Sequence, residues 1–162
     1  MADPHVKGLA ELQAFLNQLP AKMEANIMRA ALRQGANVVK AEAQANVPVK
    51  SGLLKAGLKV STRNRRGTVT AAVKAGGKHG FIAKWIEFGT AAHFIKPKTA
   101  KSLFFAGLFS EGVDHPGARP KPFLRPALDS RAQAALQAVG EAIKKRLTKA
   151  GLNASGVDLD AS

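Results

Sequence analysis

The 162-residue sequence contains no cysteine and one tryptophan, and aromatic residues make up only 6% of it. Without cysteine the chain has no disulfide, no thiolate zinc site and no cysteine nucleophile. No apolar run approaches the roughly 20 residues that a membrane-spanning helix needs. The N-terminus also lacks the basic and apolar regions of a signal peptide. We therefore expect a soluble chain made in a cytoplasm, with a core built mainly from aliphatic side chains.

Familiar catalytic patterns are missing as well. The sequence contains no GxSxG, no phosphate-binding GxxxxGK[ST] and no HExxH pattern. Its four histidines lie apart, and "DHPG" at residues 114–117 is better explained as a turn set by Pro116 and Gly117 than as a metal site. The sequence therefore predicts no catalytic residue, no metal site and no cofactor.

Acidic residues are scarce in the middle of the chain, where residues 43–122 contain only Glu87, Glu111 and Asp114. Glu87 lies between two large apolar residues, a setting that can mark a tuned catalytic acid. The many basic groups around it would instead favour the ionised form. We therefore interpret Glu87 as a structural carboxylate, either ion-paired or accepting backbone N–H bonds near Gly89–Thr90. We expect Trp85 and Phe88, which flank it, to be packing residues.

Basic residues are abundant and unevenly distributed. The formal net charge is +14, from 25 Lys+Arg against 11 Asp+Glu, and residues 48–122 account for +11 of it. Such a charge favours polyanions or acidic protein surfaces as partners. The stretch "STRNRRGT" and its flanks have no aromatic stacking residues and no groove-reading motif, so we expect non-specific contact with duplex DNA or an acidic protein. The alternative is a merely solvated face. The residues concerned are Lys59, Arg63, Arg65, Arg66, Lys74 and Lys78.

Apolar periodicity predicts helices toward both ends of the chain. Residues 6–19 have an amphipathic pattern, and a longer helix is predicted from Ala21 to about Asn46, where Pro48 disfavours continuation. The helical period returns after residue 122 and continues to about residue 150. The faces expected to be buried are Met23, Ile27, Ala31, Val38, Ala41 and Ala45, widened by Leu32, Gly35 and Val39, and in the last helix Leu124, Leu128, Ala132, Leu136, Val139, Ile143 and Leu147.

Between these helices the period changes to two. Residues 58–62 and 68–73 alternate on either side of "NRRG", which predicts an antiparallel hairpin with Gly67 at positive φ. The run "FIAKWIEF" at 81–88 fits a third strand or a helical turn. Residues from about 90 to 120 are predicted to form a long loop or hairpin excursion, and loops of that length are usually functional.

Together these elements predict an α+β fold, in which a long N-terminal helix and a C-terminal helix pack on a small antiparallel β-sheet. We expect residues 1–150 to form a single domain and residues 151–162 to form a short flexible tail.

Three short motifs occur in order along the chain: Pro-x-x-Ser-Gly-x-Leu at 48–54, Glu-Phe-Gly-Thr at 87–90 and Pro-Phe-Leu-x-Pro-Ala-Leu at 122–128. With their flanking helices, over about residues 5–150, they resemble the tail-completion or tail-component family of long-tailed double-stranded DNA bacteriophages. The chain departs from that family in having Phe81 and Trp85 where tyrosine is usual. The residues to which the resemblance gives a structural role are Pro48, Gly52, Trp85, Glu87, Gly89, Thr90, Pro122, Phe123 and Pro126. Among them, Gly52 and Gly89 are expected to allow tight turns where a side chain would clash.

The resemblance implies a non-enzymatic virion protein of the neck, assembled in the host cytoplasm, which forms a ring around the DNA channel and joins tail to head. Six copies would match the tail symmetry. The implied partners are further copies of the chain, a stopper or adaptor ring, a tail terminator or tail tube, and packaged DNA as a non-specific contact; no membrane is implied.

Several alternatives stay open from the sequence. The chain could be a tail terminator or a head-closure (stopper) protein, a free basic DNA-binding protein, or a nuclease or hydrolase that uses Glu87. The aromatics of the excursion, Phe104, Phe105 and Phe109, are expected to contact a neighbouring subunit, because aromatic side chains in loops are typical assembly anchors. The other reading is that they fold back on the core.

Overall fold

A computed structural model describes residues 21–78, 80–98, 101–105 and 107–149 of the chain. Two 26-residue helices dominate it: α1 at Ala21–Asn46 and, as the last described element, α4 at Leu124–Lys149. The helix predicted at 6–19 and the tail predicted at 151–162 lie outside the described residues. Within the described ranges, no helix is both long enough and apolar enough to cross a membrane.

Short elements connect the two long helices. In chain order they are α2 (Leu53–Gly57), β1 (Leu58–Arg65), β2 (Thr68–Ala75), α3 (Gly80–Phe88), β3 (His93–Ile95), β4 (Leu103–Phe105), β5 (Leu108–Ser110) and β6 (Val113–His115). The strands pair as three antiparallel two-stranded sheets, β1–β2, β3–β6 and β4–β5. The predicted α+β class is therefore confirmed, and the excursion proves to be built from strands. The run that fitted either a strand or a helical turn is helix α3.

The β1–β2 hairpin has the predicted turn, and the structure gives its register. Arg65 pairs with Thr68, which leaves Arg66 and Gly67 as a two-residue turn with φ values of 51° and 82°. Positive φ at both central residues is the geometry that matches the twist of the flanking strands. Along β2 the side chains alternate between partly buried and exposed, and the partly buried set faces α1.

Helices α1 and α4 pack antiparallel along their length. Gly35 lies against Ala135 and Val139, and nearer the end of α1 Glu42 forms an ion pair with Arg131 at 2.8 Å. A β-carbon on Gly35 would lie 2.8 Å from the carbonyl oxygen of Ala135, so glycine is what permits this close approach. Small residues at this contact therefore allow the two helices to come together.

The buried faces of the helices differ in part from those predicted. In α1, Ala41 and Ala45 are exposed, because the buried side chains follow a spacing of four, which drifts about 40° around the helix at each step. In α4, Leu128 is 54% exposed and Leu136 37% exposed. The buried positions are Ile27, Ala31, Gly35, Val39 and Ala43 in α1, and Ala127, Gly140, Ile143 and Leu147 in α4.

The core lies where the long helices meet the first hairpin and α3. Phe123 is completely buried at the start of α4, and it packs in one cluster with side chains from each of these elements. The cluster consists of Val39, Ala43, Val47, Leu54, Leu58, Ala83, Phe123 and Ala127. Burying a side chain of the size of phenylalanine stabilises the fold by about 1.5–3 kcal/mol, so the third sequence motif supplies a main anchor of the core.

Candidate functional site: a capped helix, a β-arm and a basic face

The carboxylate of Glu87 caps the start of α4. Its Oε2 atom accepts hydrogen bonds from the backbone N–H groups of Phe123 at 2.8 Å and Leu124 at 2.9 Å, and its Oε1 atom accepts one from Arg125 at 3.0 Å. Glu87 lies in the last turn of α3. A negative charge is unfavourable there, because the C-terminus is the negative end of the helix dipole. Its position is explained by the neighbouring helix, whose N-terminus attracts an anion.

The hydrogen-bonding needs of this helix start are met completely. An α-helix leaves its first four N–H groups without a partner inside the helix. In α4 the first three of them bond to Glu87, and the fourth position is Pro126, which has no N–H group. Immediately before them, the N–H group of Lys121 donates to the carbonyl oxygen of Ile86 at 2.7 Å. The second and third sequence motifs therefore form one structural unit.

The charge state of Glu87 follows from these contacts. Burial raises the pKa of its carboxyl group, whereas the N–H donors of Leu124, Phe123 and Arg125 and the positive charge of Arg125 lower it. The net result is a pKa below the ordinary value, so Glu87 is ionised at neutral pH. A general acid needs the opposite shift. The sequence placed the donors near Gly89–Thr90, whereas the structure places them more than thirty residues further along the chain.

The described residues between Thr90 and Ala118 form an arm whose two ends are joined. Thr90 and Ala118 exchange two backbone hydrogen bonds, of 2.9 and 3.1 Å, and the Thr90 hydroxyl accepts a further bond of 2.9 Å from the Ala118 N–H group. A β-carbon on Gly89 would lie 2.5 Å from the carbonyl oxygen of Ala118, and Gly89 has a φ of 72°. Gly117 is similarly confined against Thr90. We call this contact region the base clamp.

Beyond the base clamp the arm contains two short two-stranded sheets. In the first, β3 pairs with β6, and the rings of His93 and His115 stack with centroids 5.0 Å apart. In the second, β4 pairs with β5, and Phe104 lies 5.1 Å from Phe109. The side chains of Phe104 and Phe109 are 68% and 76% exposed, and Leu108 is equally open. They do not fold back on the core in the isolated chain; the side chain of Phe105 lies outside the described part.

Helix α3 exposes a second aromatic set. We expected Trp85 and Phe88 to be packing residues beside Glu87, but they are 51% and 69% exposed. The helical period explains the difference, since it turns Ala83 into the core and Phe81, Trp85 and Phe88 outward. Phe81 and Trp85 contact each other edge to face at 4.9 Å.

The cations predicted on the first hairpin share a surface. Lys59 and Lys74 are directly paired across the strands, and Arg63 and Arg65 lie on the same exposed side. We call these four residues the basic face. Arg66 lies at the hairpin turn, and Lys78 follows β2 in an exposed turn. Like charges placed opposite one another are unfavourable, so this arrangement costs stability unless an anionic partner is present.

The first sequence motif lies at the joint between α1 and α2. Pro48 follows the end of α1, and Gly52 precedes α2 with a φ of 74°. A β-carbon on Gly52 would meet no atom within 4 Å. We expected a clash there, but it is the positive φ alone that favours glycine.

The described residues contain no group of three or more His, Asp or Glu side chains placed to hold a metal ion. The stacked pair His93 and His115 is engaged locally: His93 Nδ1 donates to the Ala91 carbonyl at 2.9 Å, and His115 Nδ1 accepts from the Gly117 N–H at 3.0 Å. Both histidines are therefore part of the arm's local hydrogen bonding.

Comparison with known proteins identifies the family. Residues 10–89 match the family model described as "Bacteriophage HK97-gp10, putative tail-component". The match covers the first motif and ends within the second, so the clamped arm and the start of α4 follow it along the chain. No curated protein and no solved structure matches the chain. Over residues 10–89, just under half of its length, the chain therefore matches the HK97-gp10-like family of bacteriophage tail components.

Proposed function

We propose that the chain is a structural protein of the phage neck, which forms a ring around the DNA channel and joins the tail to the head. The observation that carries this proposal is the arm: a hairpin fixed at its base by the clamp, with Phe104, Leu108 and Phe109 largely in water. Exposed apolar sets of this kind mark protein–protein contacts. In a tail component, the contacts available are further copies and the adjoining virion proteins.

The basic face gives the ring a second contact. Lys59, Arg63, Arg65 and Lys74 on each subunit would repeat around the channel as a positive band. Such a band suits the phosphates of DNA or the acidic surface of an adjoining ring, such as a stopper, adaptor or tail terminator. Arg66 and Lys78 extend it at the turn and beyond β2.

We further propose that the protein acts without catalysis. The one carboxylate that the sequence made a candidate, Glu87, is used fully as a helix cap and has a lowered pKa. A hydrolase or nuclease built on Glu87 would have to break that cap to use it. The role of the residue is to fix the arm and α4 relative to α3.

The consequences of removing the protein distinguish this role from the related ones. Host cells infected with a phage that lacks this protein are expected to accumulate filled heads and tails of normal length that do not join. Tails of abnormal length would instead assign the chain as the tail terminator, and heads that lose their DNA would assign it as the stopper. Normal infectious particles would refute a neck function altogether.

A free DNA-binding protein is the second candidate, and the basic face is the observation that favours it. It predicts that the isolated chain binds duplex DNA of any sequence, with an affinity that falls steeply as salt rises. Titration of labelled duplex at about 50 and 200 mM salt measures this. Tight binding by the monomer, together with normal head–tail joining when the basic face is neutralised, would favour this candidate over the first.

A further inference from the structure

An apolar groove runs between α1, β2 and α4. It has a volume of about 540 Å³, and every side chain that lines it is Leu, Val or Ala. On α4 its wall is formed by residues that the sequence predicted to be buried, including Leu128, Ala132 and Leu136. In the single chain these residues face the groove, not a neighbouring helix. One face of α4, with the apolar composition of a protein core, is therefore exposed to solvent.

The groove also borders an unpaired strand edge. Strand β2 pairs with β1 on one side, and no other described strand pairs with it. Ala71, Ala72 and Val73 line the groove in succession, although neighbouring residues in a strand point to opposite faces. The groove therefore follows the free edge of β2. An unprotected edge of this kind is a template for an added strand.

The charges of β1 and β2 also favour the free edge of β2 as the contact site. Strand β1 carries three cations, Lys59, Arg63 and Arg65, which discourage pairing along its own edge. Strand β2 carries only Lys74. Two copies of a chain with a net charge of +14 repel each other, so contact between copies is favoured where both surfaces are uncharged. The groove lining has no charged residue.

We propose that this groove receives the β4–β5 hairpin of a neighbouring copy of the chain. The hairpin, "LFFAGLFS", has no charged residue, and its exposed Phe104, Leu108 and Phe109 are apolar side chains of the kind the groove would bury. The hairpin makes no extensive contact with any other described element of its own chain. This inference rests on the proposed ring and names the surfaces that would join its subunits.

The size of the contact is in the range that assembly needs. Two phenylalanines bury about 150–250 Å² each, and a stable interface buries about 800 Å² per partner. Because only the exposed part of each ring can be buried on docking, the two phenylalanines supply roughly a third of one side. Leu108 and strand pairing along β2 would add to it.

The contact is directional, since hairpin and groove are different surfaces. Such a head-to-tail contact repeats from copy to copy, and it closes into a ring when the rotation per subunit allows. A two-fold pair would instead exchange both hairpins at once, each into the partner's groove, and cross-linking would then give a closed pair and not a ladder. The groove-and-hairpin contact is therefore of the type that a neck ring requires.

Disulfide trapping tests the proposal, and the absence of cysteine from the wild-type chain leaves no background. Phe109→Cys and Ala132→Cys are made as separate full-length variants, mixed and oxidised. We expect a disulfide-linked pair containing one of each variant, and in the double variant a ladder of linked copies. Gln133→Cys, exposed on the next position of α4, is the matched control and should give little product with Phe109→Cys.

Other products would overturn the docking. A link from Phe109→Cys to Trp85→Cys in place of Ala132→Cys would place the hairpin on α3. A link within one chain between Leu12→Cys and Ala132→Cys would assign the groove to the chain's own N-terminal segment. Rings that form without the Phe109–Ala132 link would refute the docking while leaving the neck role intact. A chain that never associates, even in the virion, would refute both.

Charge placed in the groove gives an independent readout. Leu136→Glu is expected to abolish the oligomer peak in light scattering while leaving the circular dichroism spectrum unchanged, because a buried unpaired carboxylate is strongly unfavourable. Gln133→Glu introduces the same charge on the exposed side and should leave the oligomer in place. Equal association of the two variants would contradict the proposed groove.

Discussion

The carboxylate of Glu87 accepts the backbone N–H group of Leu124 at 2.9 Å, across 37 positions of sequence. This bond and its two companions join the end of α3 to the start of α4, while the chain between them leaves as the arm and returns through the base clamp. One side chain thus fixes the core helix and the direction of the segment proposed to bind a neighbouring subunit. The second and third sequence motifs acquire a physical meaning from this arrangement.

Replacing Glu87 with glutamine is expected to lower the free energy of unfolding by about 1–3 kcal/mol. The amide keeps the shape but offers a weaker acceptor and turns an N–H donor toward the N–H groups of α4. Urea unfolding followed by circular dichroism, at one fixed protein concentration, measures the effect. Glu111→Gln, at an exposed position in the arm, is the control and should stay within about 0.5 kcal/mol of wild type.

The difference in unfolding free energy between wild type and Glu87→Gln is expected to depend on pH. Because the pKa of Glu87 is lowered in the folded state, its contribution is present above its ordinary pKa of 4.5 and is lost as the pH falls through the folded-state value. The difference between wild type and Glu87→Gln should therefore be constant near neutral pH and should shrink below pH 4.5. A difference of the same size at all pH values would show that the negative charge is not what stabilises the helix start.

Gly35→Ala is expected to destabilise the protein, although alanine favours a helix by about 1 kcal/mol over glycine. The new methyl group would lie 2.6 Å from Val139 Cγ2 and 2.8 Å from the Ala135 carbonyl oxygen. Separating α1 from α4 to relieve this overlap should cost about 1–3 kcal/mol net. The exposed neighbour Gln34→Ala should change little. A Gly35→Ala protein more stable than wild type would mean that the helices are not in close contact.

Gly89→Ala separates the effect of the base clamp from that of backbone conformation. Gly77 has nearly the same φ, 78° against 72°, but a β-carbon there would meet no atom within 4 Å. Gly77→Ala should thus lower the free energy of unfolding only by the cost of holding alanine at positive φ, about 1–2 kcal/mol. Gly89→Ala should cost more and should speed trypsin cleavage within the arm, since its β-carbon overlaps Ala118 and Pro120 and would loosen the base clamp. Equal unfolding free energies and equal cleavage would argue against the base clamp.

Reversing the charges of Arg63, Arg65 and Arg66 to glutamate should impair head–tail joining or DNA retention without unfolding the subunit. All three side chains are exposed, so the folded chain does not depend on them. Replacing Lys145, Arg146 and Lys149, at the end of α4, with glutamate alters the net charge equally and serves as the control. If both variants join heads to tails as wild type does, the basic face is only a solvated surface.

The local parts of the fold were predictable, because local patterns decide them. The bounds of α1 followed from its composition and Pro48, and the β1–β2 hairpin followed from its alternation and from Gly67. The type of α3 did not follow, since a short apolar run fits either a strand or a helix. Its packing was decided by contacts with distant elements, which is why Trp85 and Phe88 were wrongly expected inside.

The long-range parts of the site were beyond the sequence alone. The residue type of Glu87 and its basic surroundings indicated a structural carboxylate, but nothing local indicates that its donors are Phe123, Leu124 and Arg125. A signal was present in the pair of prolines at 122 and 126, which mark a helix start with few N–H groups of its own. The stripe on α4 was correctly seen as apolar, and a periodic pattern does not distinguish a face buried in the core from one left open for a partner.

The most direct test of the proposed neck function is electron microscopy of the virion neck, with a label on this chain. That function predicts a ring of copies at the junction of head and tail, around the DNA channel, with six copies where the ring follows the tail symmetry. A labelled chain found only along the tail or at its far tip, or present as isolated single copies, would contradict it.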